Sequence, residues 1–297
     1  MAGTQDIAED PRNAGVLVWV NGALVPRHEA KVSVFDGGYI AGDGVWEGLR
    51  LARGQWIQLE QHLDRLFAGA QFIQLDIPGG RAAVRAAIEA TRVANGMVDG
   101  VHARLMVTRG IKTTPGADPR MVAGPATVVV IMEHKQPHPG LAAGIALMTS
   151  TYRTTRADQF DMRLNSHSRL PYILALMQAY TNGADEALML DDRGFVASCN
   201  STNVFFVRSG VVLTSTDQAC FNGITRGTVI GLCEAAGIAV RRVDFSLMEA
   251  LGADEAFVTG TVGGITPVRS LDGRPYAGVP GPVTARLAAA YRLAVGL

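Results

Sequence analysis

Three short segments carry residue types that could hold an anion. Asn222-Gly223-Ile224-Thr225 stand directly before a stretch of apolar residues at helical spacing. A glycine lets backbone approach a ligand closely, and the free N–H groups of a helix start favour phosphate. The same residues also suit an ordinary helix start capped by Thr225. Thr259-Gly260-Thr261-Val262-Gly263-Gly264 come after an expected strand and offer two hydroxyls among small residues, either a second anion cradle or a plain strand-to-loop turn. Arg65, in His62-Leu63-Asp64-Arg65-Leu66, is either an anion-binding guanidinium or a solvated helix residue. His134 and His138 have the i, i+4 spacing of a metal pair, but Pro137 and Pro139 argue against a helix there, so no metal site is expected. Neither a Gly-x-Ser-x-Gly elbow nor a P-loop is present.

The elements that must position these groups mix strands and helices without strict alternation, which predicts an α+β class with two domains. A hairpin is expected at residues 16–25, with Asn21-Gly22 as a type I′ turn. A glycine-rich loop is expected at 37–44, a short strand at 56–59, helices at 61–73 and 81–94, and strands at 102–108 and 126–132. Between the last two, 110–125 reads as a long functional or mobile loop. His138-Pro139-Gly140 marks a boundary, giving a small N-terminal α/β domain at 1–137, a linker at 138–141 and a larger domain at 142–297. The larger part should hold helices at 170–179, 225–236 and 282–293, and strands at 144–148, 186–190, 204–207, 211–214, 238–243 and 255–259.

Composition narrows the function classes. The chain has 297 residues, is 48% hydrophobic and 18% charged, and balances 27 basic against 27 acidic residues. That excludes disorder as the main state and removes the electrostatic case for nucleic acid or an anionic membrane. No apolar run is long enough to span a bilayer, and the first fifteen residues lack the basic start and apolar core of a signal peptide. Cys199, Cys220 and Cys233 are odd in number and widely spaced, which reads as reduced thiols in a cytoplasmic protein. Only three of the basic residues are lysines, Lys31, Lys112 and Lys135, and none follows position 135.

From Val32 onward the chain resembles the class IV aminotransferases, the fold-type IV pyridoxal phosphate enzymes that include branched-chain and D-amino acid transaminases, R-selective amine transaminases and aminodeoxychorismate lyase. The segments that carry the likeness are VSVFDGGYIAGDGVWEGLR, HLDRLFAGA, RLMVTRG, GADEALMLD, STNVFFV, NGITR and DEAFVTGTVGGITPVRSLDG, in the family's order. The resemblance implies a homodimer with pyridoxal or pyridoxamine phosphate in a pocket between the domains. It implies that Arg65, Gly223, Ile224, Thr225 and Thr261 cup the phosphate, which is chemically sound: one guanidinium, one helix start and two hydroxyls around a dianion. Tyr39, Trp46 and Arg104 fall where relatives line the substrate pocket, and an arginine there suits a carboxylate.

Two departures stand out. Family members attach the cofactor covalently through one lysine, in a pattern like Asp-Pro-x-Ile-Lys-Ser-x-Asn-Arg-Leu. The corresponding segment runs from Asp161 to Pro171 and places Asn165 at the lysine position. An amide can neither form that bond nor shuttle a proton. Relatives also set a glutamate against the pyridine nitrogen, and its place falls on Ser198, which adds no charge. If the segment is a strand, His167 shares a face with Asn165 and becomes a candidate proton carrier. The sequence therefore predicts an enzyme that binds pyridoxal or pyridoxamine phosphate non-covalently, with altered or weak amino-group chemistry. Two alternatives remain: a cofactor-independent enzyme that reuses the cup for another phosphorylated or carboxylated metabolite, and a non-catalytic ligand-binding protein.

Overall fold

A computed structural model describes Gly3, Thr4 and residues 9–297, so the targeting reading of the first fifteen residues lies partly outside the described residues. The chain divides into two compact units. One is Ala8–Gln136 with Leu164–Arg169, and the other is Met1–Ile7, Pro137–Arg163 and Leu170–Leu297.

The N-terminal unit contains β1 (Leu17–Val20), β2 (Ala23–Pro26), α1 (Gly37–Ala41), β3 (Gly44–Ala52), β4 (Gln55–Trp56), α2 (Leu59–Phe72), α3 (Gly80–Ala94), β5 (Val101–Thr108) and β6 (Thr127–His134). Its six strands form one sheet in the order β2-β1-β6-β5-β3-β4. The Asn21-Gly22 turn has φ of 48° and 98°, the left-handed pair that a type I′ hairpin demands. β5 alternates strictly. Val101, Ala103, Leu105 and Val107 enter the core with Leu63 and Leu66 of α2 and Val84 and Ile88 of α3. Each such large side chain contributes roughly 1.5–3 kcal/mol by leaving water.

Two expectations fail in this unit. The strand expected at 56–59 is absent beyond Trp56, because only Gln55–Trp56 pair as β4 and α2 begins at Leu59. Residues 37–41 of the expected glycine-rich loop are helical, because the Asp36 side chain accepts from the Gly38 N–H and Gly42, at φ 67°, closes the turn. The segment 110–125 forms no helix or strand, as expected of a loop, and is tied together by a few bonds. Lys112 bridges to Val122, the Ala123 N–H donates to the Ile111 oxygen, and Lys112 Nζ donates to the Asp118 oxygen at 2.7 Å.

The C-terminal unit contains β7 (Ile145–Arg153), α4 (Leu170–Thr181), β8 (Glu186–Leu190), β9 (Val196–Cys199), β10 (Asn203–Arg208), β11 (Val211–Thr214), α5 (Ile224–Ala235), β12 (Val240–Arg242), α6 (Leu247–Leu251), β13 (Glu255–Gly260), β14 (Gly264–Leu271), β15 (Arg274–Pro275) and α7 (Pro282–Ala294). Its mixed sheet runs β12-β11-β10-β13-β14-β7-β8-β9, with β15 beside β14. The central strands β10 and β13 are buried on both faces. Val204, Phe206, Ala256 and Val258 face one core, while Phe205, Val207 and Phe257 pack with α5 and α7 in another. β9 and β14 were not anticipated from the sequence. β9 is short, and β14 begins in the glycine-rich turn that masks its alternation. Among the described residues no helix is long and apolar enough to cross a membrane, and no group of acidic, histidine or cysteine side chains could hold a metal.

Candidate active site

In the N-terminal unit the site is organised by β3. Val45, Glu47, Leu49 and Leu51 all point inward along it, so Glu47 is a carboxylate on the core face and fully buried. A buried charge needs partners, and α2 supplies them. His62 and Arg65, three residues apart, lie on one face of that helix. His62 Nδ1 lies 2.7 Å from Glu47 Oε2, and Arg65 donates through Nε and Nη2 to both carboxylate oxygens at 2.7 Å. Burial penalises the Glu47 charge, yet the hydrogen bonds and charge of Arg65, then of His62, hold its carboxyl below the usual carboxylate range. Sequence reasoning singled out Arg65 but missed Glu47 and His62. The signal was available as a charged residue at an apolar position of a period-two strand.

On the opposite face, the Arg104 guanidinium lies 3.8 Å from the centroid of the Trp46 ring, and that of Arg169 lies 5.9 Å from it. Tyr39 stands 72% exposed on α1 and not in this cluster.

Asn165 and His167 belong to this unit because their segment zips onto the first residues of β3. The Trp46 N–H donates to the Asn165 oxygen at 3.0 Å, and the His167 N–H donates to the Gly44 oxygen at 3.1 Å. The Trp46 indole donates to the Ser166 oxygen at 3.0 Å. This pairing is why Leu164–Arg169 leaves the larger domain expected from the sequence. The segment forms one isolated bridge, Val45 to Ser166, and not the expected strand. Asn165 is buried, and its side-chain amide donates to the Trp46 oxygen at 2.5 Å. His167 Nε2 lies 3.2 Å from the Val45 oxygen. Burial lowers the His167 pKa, with the Arg104 charge adding to it, against the raising effects of that hydrogen bond and of Asp36.

In the C-terminal unit, Gly223 caps α5 with no side-chain bond to the exposed N–H groups. Its φ of −63° is ordinary, but a Cβ here would meet Asn203 Oδ1 at 2.2 Å. Glycine is required for close approach. Behind it Arg226 is buried and fixes the preceding loop, donating to Asp217 at 2.9 Å and to the Ser215 oxygen at 2.6 Å. Thr225 is buried at the helix start, Thr261 sits in the turn between β13 and β14, and Thr259 Oγ1 is buried without a partner. An uncapped helix start, an obligatory glycine and an orphaned hydroxyl are features a phosphate would satisfy.

Ser198 is buried on β9, and its hydroxyl donates to the Thr202 oxygen at 3.0 Å. The Thr202 hydroxyl in turn donates to Glu186 Oε2 at 2.8 Å, and the Thr4 hydroxyl and N–H donate to Glu186 Oε1. Burial raises the Glu186 pKa.

The sequence profile of amino-transferase class IV matches residues 44–271. The chain belongs to this family. It is 34% identical over 286 residues to the branched-chain-amino-acid aminotransferase of Pseudomonas aeruginosa, covering 93% of this chain and 91% of that one. It is 41% identical over 283 residues to branched-chain-amino-acid aminotransferase-like protein 1 of Arabidopsis thaliana, covering 95% of this chain but 51% of that protein, so the chain spans about half the length of this relative. Among solved structures, the T.th. branched-chain amino acid aminotransferase with pyridoxamine 5′-phosphate superposes with a TM-score of 0.88 at 32% identity, covering 95% of each chain. The α+β class and the fold-type IV architecture expected from the sequence are those of this family's solved members.

A cavity of about 530 Å³ in the N-terminal unit, lined by Trp19, Pro78, Ala87, Ile111, Pro125 and Val128, contains none of the site residues named above.

Proposed function

We propose that this class IV aminotransferase-like chain binds pyridoxal or pyridoxamine phosphate without a covalent bond and carries out altered or weak amino-group chemistry. The observation that supports the reading is that Asn165, which the family resemblance sets at the lysine position, is a buried amide committed to the Trp46 carbonyl. Arg65, Gly223, Ile224, Thr225 and Thr261 would hold the phosphate, and the Ser198 hydroxyl would face the ring nitrogen. When bound, the group supplies an electron sink for chemistry at an amino-bearing carbon. Trp46 and Arg104 would hold the carboxylate of an incoming substrate. With Nε2 turned to the Val45 oxygen, Nδ1 of His167 is the atom left to take a proton. Its lowered pKa keeps the ring neutral, and so able to act as a base, at pH 7. A homodimer, as the family likeness implies, is part of this proposal. The loss of both ring-directed residues, at 165 and 198, favours one second reading, reuse of the cup for a different phosphorylated or carboxylated metabolite.

The test is binding of added pyridoxal phosphate, followed by borohydride and intact mass. The expected result is bound cofactor that leaves on denaturation with no mass adduct. Asn165→Lys should convert it into a borohydride-fixed adduct of one cofactor per chain. An adduct on the unsubstituted protein, at Lys31, Lys112 or Lys135, would overturn the non-covalent reading. Absence of binding would favour the second reading.

A further inference from the structure

The β3–β5–β6 register sets Arg50 opposite His102 and His102 opposite Glu133, with Gly48 opposite Arg104 in the next rung on the same face. The ladder continues one residue past β6, where the Lys135 N–H donates to the Gly100 oxygen at 2.8 Å. Side chains alternate along a strand, so Lys135 shares the face of Glu133, His102 and Arg104. The other face is the apolar core under α2 and α3. Of the titratable side chains that these strands place on this face, Glu133 alone is acidic, against Arg50, His102, Arg104 and Lys135.

That one carboxylate is already taken. Glu133 Oε1 pairs with Arg27 Nη1 at 2.8 Å. Among the described residues no carboxylate forms an ion pair with either Arg104 or Lys135, and both are half-buried. Arg104 is held in place by the Trp46 ring, not by an acid. The crowding of positive charge is felt locally. Burial, then the charges of Lys135 and Arg104, push the His102 pKa down to about 3. Burial also lowers Lys135, with Glu133 opposing and Arg104 adding to the effect. Half-buried cations without counter-ions are stabilised by an anionic ligand that replaces the lost water.

We propose that Lys135 is a specificity-determining residue which, with Arg104, selects a ligand carrying two anionic groups over a monoanion of the same length. Arg104 takes one group in a planar, two-pronged contact, and the Lys135 ammonium takes the other as a point charge. The proposal rests on the reading of Arg104 as the substrate carboxylate contact. The two can be separated experimentally, because carboxylate binding is measurable without cofactor.

The experiment is calorimetric titration of the full chain with glutarate and with pentanoate, five-carbon acids that differ by one carboxylate. Glutarate should bind about tenfold more tightly, the ratio expected from one added charge-assisted contact, and the ratio should shrink in high salt. Lys135→Met should bring the ratio close to one, with its thermal melting midpoint confirming that the fold is kept. Equal affinities in the unsubstituted protein, no measurable glutarate binding, or an unchanged ratio in Lys135→Met would each overturn the proposal. Pyridoxal phosphate binding is measured on the same samples. Its loss with the glutarate preference intact would refute the cofactor reading and leave this one standing.

Discussion

Replacing Glu47 by glutamine keeps the shape of the side chain and removes its charge. In the native unit that carboxylate accepts three short contacts, one from His62 and two from Arg65, each at 2.7 Å, and none of its surface reaches water. Glutamine presents an NH2 group to one set of these donors, so a donor faces a donor and the Arg65 charge loses its buried counter-ion. Removing one partner of a buried pair costs roughly 3–5 kcal/mol. The shape match of Glu47→Gln should keep it near the lower end. At about 3 °C per kcal/mol for a domain of this size, the melting midpoint should fall by roughly 10 °C. Circular dichroism melts at pH 7 make the measurement. The acid side gives a second check. The folded pKa of Glu47 is depressed below its ordinary 4.5. Its contribution is therefore full above the unfolded value and is lost as pH falls through the folded one. The gap between native and variant melting points should narrow as pH drops below that ordinary value. A midpoint within about 2 °C of native at pH 7, or a gap that widens in acid, would refute the clamp as a source of stability.

Further outcomes are expected elsewhere in the molecule. Phe257→Ala removes a fully buried ring stacked on Phe205 at a centroid distance of 4.8 Å. It should lower unfolding free energy by about 3–5 kcal/mol, and a urea midpoint unchanged from native would contradict the packing described. Cys199, Cys220 and Cys233 are all buried, and burial raises the pKa of each thiol. A thiol-reactive dye should therefore label native protein slowly and reach three thiols per chain only after denaturation; rapid native labelling would show that the cores around them open.

The sequence by itself determined which family frame the chain adopts and which anion-binding pieces it carries. Helical spacing placed α2 with Arg65, and Asn222-Gly223-Ile224-Thr225 announced a helix start, because those signals are local: a 3.6-residue period and a small residue before it. The absence of any lysine after position 135 was equally readable, being a matter of composition. What only the tertiary structure decided was partnership. Glu47 is one carboxylate in an apolar strand until folding brings α2 across it, and only then do His62 and Arg65, fifteen and eighteen residues away, become its counter-ions. The assignment of 164–169 to the N-terminal unit depends on hydrogen bonds to Gly44, Val45 and Trp46, about 120 residues earlier, which no local period encodes. The same holds for Lys135. Its neighbours His102 and Arg104 lie on another strand, and only the register of β5 against β6 puts these three basic side chains on one face with a single, already paired, acid.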